Sequence, residues 1–187
     1  MQTQTLSGGF STPATDAAHA FRAVMDAMAR PGTIQQITGA TPPAPLSAAA
    51  GAVLLTLCDT DTGLTLSGDH NSPAIRDWLA FHTGAPLVAP AQADFALGRW
   101  DTLQPLSAYP IGTADYPDRS TTLIIEVGAL TNDGPTLTGP GIKDSATLSL
   151  PETTFFQANH AQFPLGLDCI FTCDNRLAAL PRSTKVN

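Results

Sequence analysis

The sequence predicts an α/β protein, a mixed β-sheet with helices on its faces. Three observations carry that expectation. Helical segments interleave with short β-branched runs along most of the chain; Thr121 to Val127 is apolar enough to lie in mid-sheet; and the C-terminal part carries two apolar runs about a tight turn, the pattern of an antiparallel hairpin.

Residues 1–14 are rich in Thr, Ser, Gly and Gln, show no sustained apolar period and read as an N-terminal arm, leaving 15–187 as a single domain. Order is expected to begin near Asp16. From there Phe21, Val24, Met25 and Met28 place an apolar stripe on an amphipathic helix, which Pro31 and Gly32 terminate. Pro42 to Pro45 is a stiff connector. Leu46 through Asp59 is apolar nearly all round, a buried helix with Ser47 as its N-cap. A turn from Asp59 to Gly63 leads to the short strand Leu64 to Leu66.

Ser72 and Pro73 open a third helix, with Gly84 just past its end and Ile75, Trp78, Leu79 and His82 on one face. Pro86 to Ala89 and Asp94 to Leu97 read as short strands, and Leu137 and Leu148 to Leu150 as edge strands. Pro151 to about Gln162 forms a helix carrying Phe155 and Phe156. Leu167 to Thr172 and Leu177 to Leu180 then flank the turn Cys173-Asp174-Asn175-Arg176 and close a hairpin.

Composition bounds the function. With 187 residues, 43% hydrophobic and 13% charged, the chain can build its own core. It carries 9 Lys plus Arg against 16 Asp plus Glu, with the basic residues scattered singly. That balance argues against nucleic acid and against an anionic membrane surface, and an anionic ligand would need a local basic pocket. No stretch has the pattern of a signal peptide or the length of a membrane span, so a cytoplasmic location is expected. Cys58, Cys169 and Cys173 each sit in an apolar segment, as reduced core residues do, and the spacing of the last two is not that of a zinc knuckle.

No phosphate loop, dinucleotide fingerprint, nucleophile elbow or zincin helix is present. Gly139-Pro140-Gly141 either lets backbone approach a phosphate or makes a tight connection between strands. His19, His70, His82 and His160 are widely spaced, and no metal site is expected from them. His82 closes an apolar face and is either a hydrogen-bonded structural histidine or a catalytic one. Arginine outnumbers lysine seven to two, so Arg30, Arg119 and Arg182, each in a turn or at an element end, either bind phosphate or carboxylate or cap and pair locally.

Read in order, Phe21-Arg22, Met28-Ala29-Arg30-Pro31-Gly32, Leu54-Leu55-Thr56-Leu57 with Asp59, and Phe81-His82-Thr83-Gly84-Ala85-Pro86 are similar to the PhnH family. The resemblance continues through Gly112-Thr113-Ala114, Thr122-Leu123-Ile124-Ile125, Leu137-Thr138-Gly139-Pro140-Gly141-Ile142, Phe163-Pro164-Leu165-Gly166-Leu167-Asp168 and Leu180-Pro181-Arg182-Ser183-Thr184. Each segment is unspecific alone; the ordered set is not.

This resemblance implies a subunit of the bacterial carbon-phosphorus lyase machinery, whose G, H, I and L proteins join an alkylphosphonate to ATP with displacement of adenine, giving a ribose 1-phosphonate 5-triphosphate. It implies G, I and J subunits as partners, a homodimer when isolated, and a fold akin to the large domain of pyridoxal-phosphate-dependent transferases without the cofactor. The residues bear on that last point independently. A Schiff base needs a lysine, and only Lys143, in a glycine-rich connection, and Lys185, near the C-terminus, exist.

The resemblance transfers no catalytic residue. A scaffold or accessory subunit is therefore expected, with a nucleotide or phosphonate contact through Arg30, His82, Gly139 to Gly141 or Arg182. The competing expectation is a stand-alone small-molecule enzyme that gathers Asp59, Asp61, His82 and Arg119.

Overall fold

The computed structural model describes residues 7–187. Its centre is a six-stranded sheet in the order β1-β8-β7-β4-β3-β2. The strands are β1 (Gln35–Gln36), β2 (Leu64–Leu66), β3 (Phe95–Arg99), β4 (Thr122–Glu126), β7 (Asp168–Cys173) and β8 (Arg176–Leu180). β2, β3, β4 and β7 are parallel; β8 runs antiparallel to both β7 and β1. The mixed sheet expected from the sequence is thus present, with the β-branched run of β4 at its centre, buried from Leu123 to Ile125.

Helices α1 (Pro13–Ala29), α2 (Ala48–Leu57) and α3 (Pro73–His82) bury Val24, Val53, Trp78 and Leu79 with the sheet residues Leu64, Leu97, Ile124 and Ile170. Leu123, Ile125, Cys169 and Phe171 point the other way, as the period of two requires, and join Phe156 of α4 (Thr154–Ala161) in a second core. There a small antiparallel sheet, β6-β5-β9, is built from β5 (Thr136–Thr138), β6 (Ala146–Thr147) and β9 (Lys185–Val186). Phe156 lies 5.3 Å from Trp100 and 5.9 Å from Phe171, centroid to centroid. All three cysteines are buried and free.

Local signals account for α2 and α3. Ser47 accepts from the Ala50 N–H at 3.1 Å and Ser72 from the Ile75 N–H at 3.3 Å, the N-caps expected of them. Gly51 lets the proline connector approach α2, since a Cβ there would stand 2.7 Å from the Pro42 ring.

Several expectations need correction. α1 starts at Pro13, a first-turn proline, rather than near Asp16; residues 1–6 of the expected arm lie outside the described residues. Its buried face is Ala20, Val24 and Ala27, while Phe21 and Met25 are 47% and 52% exposed. The reason is close packing against the alanine-rich α2 and against β8, which selects small side chains over the largest apolar ones.

Pro86 to Ala89 makes only an isolated parallel bridge, Leu87 to Leu64, instead of a strand. Leu137 lies in β5, whereas the strand expected at Leu148 to Leu150 forms instead at Ala146–Thr147. There Ser149 and Thr131 exchange hydrogen bonds outside any strand. Among the described residues no helix is long and apolar enough to cross a membrane.

Candidate functional site

Parallel strands deliver their C-terminal ends to one edge of a sheet, and ligands of open α/β folds bind there. Here that edge carries Asp69 and His70 after β2, Arg99 at the end of β3, Glu126 at the end of β4, and Cys173 and Asp174 at the end of β7. With Ser47 at the start of α2 they line a cleft of about 260 Å³. Arg99, Glu126, Val127 and Gly128 also line an adjoining, more apolar hollow of about 310 Å³, whose other walls include Trp100, Leu150 and Pro151.

The electrostatics of the cleft are unusual in two respects. The first is His70. It is 3% exposed, and neither Nδ1 nor Nε2 has a hydrogen-bond partner among the described residues. A buried polar group left in that state costs about 1–3 kcal/mol. Burial also lowers the imidazole pKa, so the neutral ring, with one donor and one acceptor, is favoured.

The second is Glu126. Desolvation raises its pKa, against the opposing effect of the Ser47 backbone N–H, which donates to Oε1 at 2.7 Å. The Ala49 N–H donates to the Asp174 carbonyl at 2.8 Å. The N-terminus of α2, which would otherwise attract an anion, is therefore met by acceptors of the protein itself. The neutral imidazole offers one donor and one acceptor and the Glu126 carboxyl group offers acceptors, so together they can hold a group that donates and accepts.

None of the residues expected from the sequence as ligand contacts or as a gathered active site lines this cleft. Arg30 is exposed, pairs with Asp26 at 2.7 Å and caps the end of α1. Gly141 lies against the same helix end, and Gly139 lies beside Ser183 and Thr184, so this loop joins α1 to the C-terminal segment. His82 sits against Trp78 and Phe81, with Nε2 3.3 Å from the Ser7 carbonyl.

Arg182 is committed to a network. Its guanidinium donates to Asp168 at 3.2 and 2.6 Å, to the Pro117 carbonyl at 2.8 Å, to the Pro164 carbonyl at 3.4 Å and to Ser120 Oγ. These account for all five guanidinium N–H donors.

Of the four residues of the stand-alone-enzyme expectation, Asp59 and Asp61 share one turn, while His82 and Arg119 make aromatic contacts of their own. Asp59 accepts from Asp61 and Thr62 within its own turn, and Arg119 stacks 4.1 Å above Tyr116. Lys143 and Lys185 are exposed and line neither part of the cleft, so the residues there do not fit a Schiff-base cofactor. No group of three or more His, Cys, Asp or Glu side chains among the described residues is placed to hold a metal.

The sequence signal that could have found the cleft was Glu126, an acid ending the apolar run of the central strand. His70 had no such signal.

Comparison with known proteins gives one family. The family described as bacterial phosphonate metabolism protein (PhnH) matches residues 8–187. The chain is 42% identical to the alpha-D-ribose 1-methylphosphonate 5-triphosphate synthase subunit PhnH of Rhizobium meliloti (strain 1021), over 99% of this chain and 97% of that protein. It is 28% identical to HtxG of Stutzerimonas stutzeri, a protein named as a C-P lyase subunit, over 90% of this chain and 84% of that one. The chain belongs to the PhnH family of bacterial phosphonate metabolism proteins.

Proposed function

We propose that this chain is a subunit of the carbon-phosphorus lyase core assembly and serves the step that couples an alkylphosphonate to ATP with displacement of adenine. The observation that carries this is the near full-length relationship to a protein named as a subunit of ribose 1-methylphosphonate 5-triphosphate synthase. Its role in that assembly is that of a scaffold or accessory subunit working in the cytoplasm. Its partners are the G, I and J subunits, and alone it forms a homodimer.

Phe21 and Met25 support the interaction role. They lie one turn apart on α1 and about half exposed, where a partner surface would remove them from water. The fold is read as akin to the large domain of pyridoxal-phosphate-dependent transferases, without that cofactor. Arg30, His82, Gly139, Gly141 and Arg182 remain candidate contacts to nucleotide or phosphonate, each open to alanine substitution in the reconstituted assembly.

The test is co-expression with tagged G, I and J subunits followed by sizing of the eluate. Stable co-elution is expected. A chain that elutes alone and binds ATP or a phosphonate by itself would overturn the reading in favour of a separate enzyme.

A further inference from the structure

We infer that the cleft at the C-terminal ends of β2, β3, β4 and β7 is a binding site for a flat, uncharged nitrogen heterocycle bearing an amino group, of the purine nucleoside kind, and excludes phosphate and phosphonate. The inference concerns this chain's own cleft and does not depend on the chain's place in an assembly.

His70 points to a ligand. Among the described residues neither ring nitrogen has a hydrogen-bond partner, the residue is 3% exposed, and it lines the cleft. The two nitrogens lie on opposite sides of the ring, so the polar edge of an aminated heterocycle meets one of them, through its amino group where that nitrogen accepts or its ring nitrogen where it donates.

Charge sets the class. Among the described residues Asp69, Glu126 and Asp174 line the cleft against one cation, Arg99, whose side chain is 67% exposed and stands at the lip near Asp101. The positive end of α2 is already met by Glu126 and by the Asp174 carbonyl. An incoming phosphate would face three carboxyl groups and find no free helix terminus, whereas an amino group would find acceptors.

Shape decides between a ring and a simple amine. The cleft opens beside Trp100, Leu150 and Pro151, which offer apolar surface next to the Glu126 carboxyl. A flat ring can bury its faces against that wall while its polar edge meets Glu126 and His70. An aliphatic diamine would use the carboxyl groups and leave the wall bare.

The experiment is calorimetric titration of the full chain with adenosine, inorganic phosphate, methylphosphonate and putrescine, repeated with Glu126→Gln and His70→Gln. Both variants keep polar atoms at their positions, and thermal unfolding checks that each folds; either one alone suffices for the test. Adenosine is expected to bind, to weaken tenfold or more in each folded variant, and to be unaffected by competing phosphate. The inference is overturned if adenosine fails to bind, if both folded variants bind it as the parent does, or if phosphate, methylphosphonate or putrescine binds more tightly than adenosine.

Discussion

His70 Nε2 stands 4.0 Å from Glu126 Oε1, outside hydrogen-bond reach, although the two side chains are only 4% and 11% exposed. Their titrations tilt stability in opposite directions. Burial lowers the His70 pKa from the ordinary 6.5, so the unfolded chain takes up this proton first as pH falls. The stability tied to neutral His70 is complete above 6.5 and is lost as pH drops through the lower folded value. Desolvation raises Glu126 above 4.5, so its contribution is complete below 4.5 and is lost as pH rises through the folded value. Melting curves from pH 4 to 8 should therefore show a shallower acid-side loss for His70→Gln, and an advantage for Glu126→Gln that grows with pH. Parallel curves for parent and variants would contradict both assignments.

Arg182 is held more firmly than a surface arginine. Its ion pair with Asp168 is 2.6 Å long and largely buried, and its other donors reach Pro117, Pro164 and Ser120. Removing one partner of such a pair leaves the other without its counter-charge, so Arg182→Ala should cost about 3 kcal/mol in urea unfolding. The Arg182 backbone N–H to Asp168 survives the change, which keeps the loss from being larger. Arg182→Lys should recover only part of it, because an ammonium cannot span the same four partners. A loss of activity without a loss of stability would instead mark a direct ligand contact.

Gly141 tests the loop that joins α1 to the C-terminal segment. Its φ is +81°, and a Cβ would fall 1.9 Å from the Ala29 carbonyl oxygen, a backbone atom that cannot rotate away. Gly141→Ala should lower stability by about 2 kcal/mol or more, from left-handed strain plus the clash. Gly128, beside the cleft, has nothing within 4 Å of its Cβ position, so Gly128→Ala should change stability by less than about 0.5 kcal/mol. Equal effects at the two glycines would refute this placement of the loop.

These positions also show which parts of the fold were legible in the sequence. Ser47, Ser72-Pro73 and the run Leu123 to Ile125 announce their elements because caps and β-branched runs act over a few residues. β1, β6 and β9 span two residues each, too short for a period to register. The orientation of α1 was hidden because the small-residue surface of α2, a distant segment, selects Ala20 and Ala27 for burial over Phe21. The cleft was hidden for a similar reason. His70, Arg99, Glu126 and Asp174 meet only because β2, β3, β4 and β7 are parallel and in register, and register is a property of pairing that no local spacing records.

Phe21 and Met25 provide the remaining test. Exposed at 47% and 52%, they add little to the fold of the isolated chain, since Ala20, Val24 and Ala27 carry the buried face of α1. Replacing both by serine should therefore move the melting midpoint of the isolated chain by no more than about 0.5 kcal/mol in equivalent stability. If a partner subunit or a second copy covers this turn of α1, the same double variant loses the burial of the exposed half of two large apolar side chains, about 1–1.5 kcal/mol each. Association would then weaken by about one to two orders of magnitude. Sizing of the isolated chain separates self-association from capture by tagged partner subunits, because a homodimer contact fails in the first measurement and a partner contact in the second. An unchanged elution profile in both would show that this face stays in water, and the interface must then lie elsewhere on the molecule.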